Sequence, residues 1–203
     1  MTFSNLMIDI ETLGTRPNAP ILSIGAAFFA PGTGEIGPTF YRAIDPANAF
    51  LFGVPDGDTF KWWMGQADAA RRDVTSGSAL LADALTDLSK FGSGVCQWKD
   101  VEVWANDPDF DVTILTYAYH RVLSQLPPWR FWNTRSCRTI AAISGKRPPK
   151  IGGNGTYHNA LDDAVHQAKW VSDMWRSLRK VQTRAATVTV EKPTSVEDDL
   201  LDL

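Results

Sequence analysis

The chain has 203 residues, 44% of them hydrophobic, and a formal net charge of −3, which suits one domain with a sizeable core and a short tail. Lysine and arginine are spread along it with no basic block to advertise a polyanion partner. No apolar run approaches the ~20 residues that span a bilayer, and Cys96 and Cys137 form no CxxC pair. Composition therefore argues against a disulfide scaffold and a membrane span, and a soluble cytoplasmic protein is expected.

The predicted elements begin with strands. "LMIDI" (Leu6 to Ile10), "ILSIGAAFF" (Ile21 to Phe29) and "TFYRAI" (Thr39 to Ile44) are apolar or alternating runs separated by short glycine- and proline-bearing turns, the pattern of an antiparallel meander. A long connection, Pro46 to Gly57, leads into helical patterns. Asp58 is the expected cap of the helix carrying "KWWMGQ", and Asp68 and Ser78 the caps of two more, the latter ending near Lys90. "VEVWA" (Val101 to Ala105) reads as a short strand and "DFDVTILTYAYHRVLSQL" as an amphipathic helix stopped by Pro127 and Pro128. A shorter helix from Ser136 to Ser144, a glycine-rich loop "IGGNGTY" and a last helix from Asn159 to about Lys180 complete the domain, placed at residues 1–182. Residues 183–203 lose aromatics and end acidic, as expected of a flexible tail. Within it, the Val-Thr alternation could form an edge strand, and "EDDLLDL" could bind a protein partner as a short linear motif.

Three places carry carboxylates where chemistry could use them. Asp9 and Glu11 alternate along the first strand, so they share a face with Met7 while Ile8 and Ile10 point the other way. They could be solvated at an open strand end, or buried beside a divalent cation that removes the cost of burial. In "VWANDPDFDVTIL", Asp107, Asp109 and Asp111 cluster where a strand gives way to a helix. Capping and the helix dipole account for one or two of them. In "YHNALDDA", His158 stands between the glycine-rich loop and the last helix, with Asp163 five residues on. A capping histidine with surface aspartates, or a histidine bent toward a carboxylate one turn away, both fit. A zinc site does not, since the three histidines form no compact set with the cysteines.

Taken in order, these motifs resemble the DEDD superfamily of 3′–5′ exonucleases in its histidine-containing branch. "TFKWWMGQADAARRDV" and "FWNTRSCRTI" are similar to the WW-x-x-Q-x-x-x-A-R and FW-x-x-R-x-x-R-T segments of its phage T4 exonuclease A-like and exonuclease VIII-like branch. The resemblance implies a ribonuclease H-like α/β fold, with a central mixed five-stranded sheet flanked by helices. It implies that Asp9, Glu11, Asp111 and Asp163 bind two divalent cations, Mg²⁺ or Mn²⁺, and that His158 is the general base. It further implies release of nucleoside 5′-monophosphates from single-stranded nucleic acid with a free 3′ end, DNA favoured over RNA. An exoribonuclease or a catalytically silent binding module are the alternatives. Two residues depart from the pattern: Asp107 where relatives often have glycine, and Cys137 where they often have aspartate.

Candidate substrate contacts are Trp62 and Trp63, adjacent on a helix and so about 100° apart, with one expected in the core and the other free to stack on a base. Arg135 and Arg138, expected on one face of a short helix, together with Thr12 and Asn106, join them. Lys146, Arg147 and Lys150 look like a loop for backbone phosphates, and His120 and His166 like ordinary helix residues.

Overall fold

The computed structural model describes residues 3–147 and 158–188, with residues 183–188 described by their backbone. Lys150, the glycine-rich loop and the chain from residue 189 on lie outside the described residues.

A five-stranded mixed sheet forms the centre. Its strands are β1 (Asn5–Thr12), β2 (Ile21–Ala30), β3 (Glu35–Ala43), β4 (Glu102–Ala105) and β5 (Thr134–Ser136), in the order β3-β2-β1-β4-β5. The first three form the expected antiparallel meander, and β4 and β5 run parallel to β1. The helices are α1 (Pro46–Ala49), α2 (Gly57–Met64), α3 (Asp68–Thr75), α4 (Leu81–Val95), α5 (Asp111–Leu123), α6 (Cys137–Ser144) and α7 (Ala160–Val188).

Alternation along β1 sorts the two cores. Leu6, Ile8 and Ile10 pack with Leu85 and Leu88 of α4 and Ile114 and Leu115 of α5. Met7 faces the other way and packs with Phe29, Trp104, Ala164, Ala168, Val171 and Met174. α7 thus covers the face of the sheet that also carries Asp9 and Glu11. With both faces covered, the central strands read as continuous apolar runs, and the two carboxylates interrupt that pattern.

Several boundaries differ from expectation for local reasons. Asp56, not Asp58, caps α2, its carboxylate accepting from Asp58 N at 2.7 Å and Thr59 N at 3.2 Å. Asp68 is the first residue of α3 rather than its cap. Ser78 does not cap α4; Asn48 reaches across from α1 and accepts from Leu81 N at 2.8 Å, a contact no local pattern announces. β3 begins four residues before Thr39, at Glu35. β5 has only three residues, too few to show a period of two. α7 continues beyond Lys180 to Val188, so Ala186 to Val188 are helical rather than an edge strand. Among the described residues, no helix is long and apolar enough to cross a membrane.

Candidate active site

The site lies at the C-terminal end of β1, where β4 has stopped pairing with it. That pairing ends at Met7↔Trp104. Just past it, the amide of Ile10 donates to Asp111 Oδ1 at 3.3 Å. Asp111 opens α5 and is 3% exposed, so a helix start delivers a buried carboxylate against the open edge of β1. Glu11 is 8% exposed, while Asp9 is half-buried and accepts from Gln167 Nε2 of α7 at 2.7 Å.

The start of α7 supplies the rest. In the sheet, Asp9 stands opposite Gly25, and Gly25 opposite Tyr41. A Cβ on Gly25 would lie 2.1 Å from the carbonyl carbon of Ala160, so the missing side chain is what lets the first turn of α7 rest on the sheet. Asn159 caps this helix, its Oδ1 accepting from Leu161 N at 3.1 Å and Asp162 N at 3.0 Å. Just before it, His158 adopts a left-handed backbone (φ 63°), which costs a non-glycine residue roughly 1–3 kcal/mol. The amide of His158 donates to Asp163 Oδ2 at 3.1 Å. This closes the turn and folds the histidine and the carboxylate toward each other, as the five-residue spacing allowed.

The electrostatics are those of crowded acids. Burial, then the charges of Asp111, Glu11 and Asp163, hold the Asp9 carboxyl well above its ordinary range, against a downward pull from Gln167. Burial and the charges of Asp163, Asp111 and Asp73 push Glu11 up to about 8. Burial pushes Asp111 to about 7 despite backbone hydrogen bonds that favour its charged form. Asp163 is raised by burial and held back mainly by the hydrogen bond from the His158 amide. Among the described residues, no lysine or arginine forms an ion pair with any of these four acids. Glu11, His158 and Asp163 offer ligand atoms that all lie within 4.8 Å of one another, and Gln167 Oε1, on the amide that donates to Asp9, is buried with no hydrogen-bond partner among the described residues. Carboxylate oxygens crowded beside an imidazole and short of positive charge fit a divalent cation.

The candidate substrate residues divide. Trp63 is buried, its indole donating to Thr12 O at 2.9 Å. Trp62 is 46% exposed, its ring edge-on to His158 at 4.7 Å. The Thr12 hydroxyl donates to Gly14 O at 2.6 Å and so closes the turn after β1. Asn106 is half-buried at the end of β4, next to the acidic turn. Arg135 and Arg138 do not share a helix face. Ser136 caps α6 by accepting from Thr139 N at 3.3 Å, which leaves Arg135 in β5. There Arg135 pairs with Glu102 at 3.0 Å. Arg138 faces Asp107 at 3.6 Å, a partner for the charge that departs from the family pattern. Cys137 is buried, with its Sγ 3.8 Å from Met7 Sδ. Lys146 reaches the carbonyl of Asp173 on α7 at 3.4 Å, and Arg147 is exposed. Gln167, Gly25, Tyr41, Asn159 and Asp73 were not legible as site residues. Only Gln167 carried a signal, its position one helical turn after Asp163.

A mixed sheet in the order β3-β2-β1-β4-β5, with acids at the end of its central strand and a histidine folded over them, is the ribonuclease H-like fold of a 3′–5′ exonuclease. The model of the Rv2179c-like 3′–5′ exoribonuclease domain matches residues 4–175, and the chain belongs to that family. No curated protein matches its sequence. Among solved structures, it is similar to E. coli exonuclease I in complex with a dT13 oligonucleotide. The two are 13% identical, with 93% of this chain and 43% of that one covered, at a TM-score of 0.59. A zinc-bound form of the E. coli exonuclease I–single-stranded DNA complex gives 14% identity over the same shares, at a TM-score of 0.60. The nuclease domain of 3′hExo, a DEDDh family member bound to rAMP, gives 16% identity over 88% of this chain and 93% of that one, at a TM-score of 0.54. The chain thus spans less than half the length of exonuclease I, and at these identities the likeness is one of fold.

Proposed function

We propose that the chain shortens single-stranded RNA from its 3′ end, releasing nucleoside 5′-monophosphates. Two divalent cations, Mg²⁺ or Mn²⁺, would be held by Asp9, Glu11, Asp111 and Asp163. The observation that carries this reading is that Glu11, Asp163 and His158 offer ligand atoms within 4.8 Å of one another, with Asp9 and Asp111 close enough for their charges to interact and, among the described residues, no lysine or arginine paired to any of the four acids. When bound, such cations would supply the charge that offsets the carboxylates and the polarisation of phosphate and water that this chemistry needs. His158 takes the proton of that water, the work of a general base, and its turn toward Asp163 holds the imidazole over the acids. Gln167 orients Asp9, and the Ile10 amide fixes Asp111. The exposed face of Trp62 stacks on the terminal base in the sequence-tolerant manner of single-strand binders.

Family membership favours RNA over the DNA expected from the motifs alone. The two tryptophan-bearing segments support kinship with the phage T4 exonuclease A-like branch. Residues 1–182 serve as the catalytic domain, and the acidic tail serves as the surface for a protein partner. The test is 5′-labelled single-stranded RNA and DNA of one sequence, incubated with Mg²⁺, Mn²⁺ or chelator, with and without a 3′-phosphate. Metal-dependent ladders that shorten from the 3′ end, faster for RNA and blocked by the 3′-phosphate, are expected. Internal cuts, or full activity in chelator, would overturn the reading.

A further inference from the structure

The first turn of α7 is held from a third side by residues that carry none of the motifs. Asp73 Oδ2, on α3, accepts from the Tyr41 hydroxyl at 2.6 Å and from Asn159 Nδ2 at 3.1 Å. Tyr41 stands in the row Asp9, Gly25, Tyr41 across the sheet, and Asn159 is the cap between His158 and the helix. One carboxylate oxygen therefore ties β3, α3 and the start of α7 together. Each tie has a distinct consequence. The Gly25 gap sets how close the turn sits to the sheet, but a gap alone lets the turn slide. The bond from Asn159 to Asp73 fixes it sideways, and the Tyr41 hydroxyl fixes Asp73 to the sheet that also carries Asp9 and Glu11.

On the exonuclease reading above, on which this rests, we infer that Asp73 is a positioning residue that registers His158 and Asp163 against the carboxylates of β1 through Asn159 and Tyr41. Its effect is on geometry, and a misplacement of about 1 Å at a reacting centre costs on the order of 10²-fold in rate.

The experiment measures kcat and KM of the full chain on a short single-stranded RNA for wild type, Asp73→Ala, Asp73→Asn and Asn159→Ser, and repeats Asp73→Ala in the His158→Asn background. Asp73→Ala is expected to lower kcat roughly tenfold to a hundredfold with KM nearly unchanged. Asp73→Asn keeps an oxygen that accepts both bonds and should restore most of the turnover, which separates geometry from loss of charge. Asn159→Ser keeps a good helix cap but cannot span to Asp73, so it should fold normally and still lose turnover. With His158 already replaced, Asp73→Ala should cost less than it does in the wild type, because one of the two groups it positions is gone and only Asp163 remains. Wild-type kcat in Asp73→Ala or Asn159→Ser, equal losses in Asp73→Ala and Asp73→Asn, or additive losses with His158→Asn would each overturn the inference while the exonuclease stands. A wild type inactive on every oligonucleotide would overturn both.

Discussion

In the metal-free protein, Glu11→Gln should raise stability at pH 8 and lower it slightly at pH 5, where the amide cost is no longer offset. The Glu11 carboxyl is pushed from its ordinary 4.5 to about 8 by burial and by Asp163, Asp111 and Asp73. A group raised in this way adds no penalty below its unfolded value. Its contribution is lost as pH rises from about 4.5 through about 8, because the unfolded chain gives up the proton first. With about 1.36 kcal/mol for each pH unit across that window, charging Glu11 in the fold at pH 8 costs about 4 kcal/mol. Glutamine avoids that charge but leaves an amide short of partners, at about 1–2 kcal/mol. The net gain is then about 2–3 kcal/mol, or roughly 4–12 °C in Tm for a domain of this size. Mn²⁺ should reverse the order, since the wild type keeps a charged ligand that the variant lacks, and ligand binding to the native state adds stability by mass action. Thermal melts of both proteins at pH 5 and pH 8, in chelator and in Mn²⁺, give four comparisons in which groups that do not interact with Glu11 cancel, and relief of the neighbouring Asp9 adds to the gain at pH 8. A variant no more stable than wild type at pH 8 in chelator would refute the argument that these acids are held together at an energetic cost.

Three further outcomes follow from particular contacts. Gly25→Ala places a Cβ 2.1 Å from the carbonyl carbon of Ala160 and should lower stability by about 1–3 kcal/mol through overpacking, while turnover falls because His158 and Asp163 move with the turn; melts and kinetics check both. His158→Asn should lower turnover by roughly 10²–10⁴ with Mn²⁺ affinity little changed by calorimetry, and near-normal turnover would remove the general-base role. Trp62→Ala should raise KM for single strands about tenfold, as expected for loss of one stacked base; an unchanged KM would leave Trp62 as packing for His158 alone.

The sequence was most legible where function constrains it locally. Asp9 and Glu11 announced themselves by breaking an apolar run, and their shared face followed from the period of a strand. His158 and Asp163 were placed by a spacing that a single helical turn can close. What stayed hidden depends on pairing across the sheet or between helices. Gly25 looks like any small residue until the register puts it opposite Asp9 and under Ala160. Asn48 caps a helix that begins more than thirty residues away. Arg135 and Arg138 look like helix neighbours because β5 is too short to break the pattern, and the cap at Ser136 then separates them.

The same distinction explains how the site can be both costly and stable. The apolar clusters on the two faces of the sheet, one around Leu6, Ile8 and Ile10 and one around Met7, Trp104 and Met174, continue past the carboxylates on either side. β1 is thus held by packing along the length that carries no charge, and its last residues can tolerate repulsion that would unpair an isolated strand. The acids reach the site from three separate elements, each anchored away from the others: Glu11 by β1, Asp111 by the start of α5, Asp163 by the turn that Gly25 and Asn159 set on the sheet. Repulsion among them must therefore move whole elements to be relieved. Such elements do not yield to a few kcal/mol when β1 and α5 are packed together into one cluster and α7 with Met7 into the other, so the unfavourable arrangement persists in the fold.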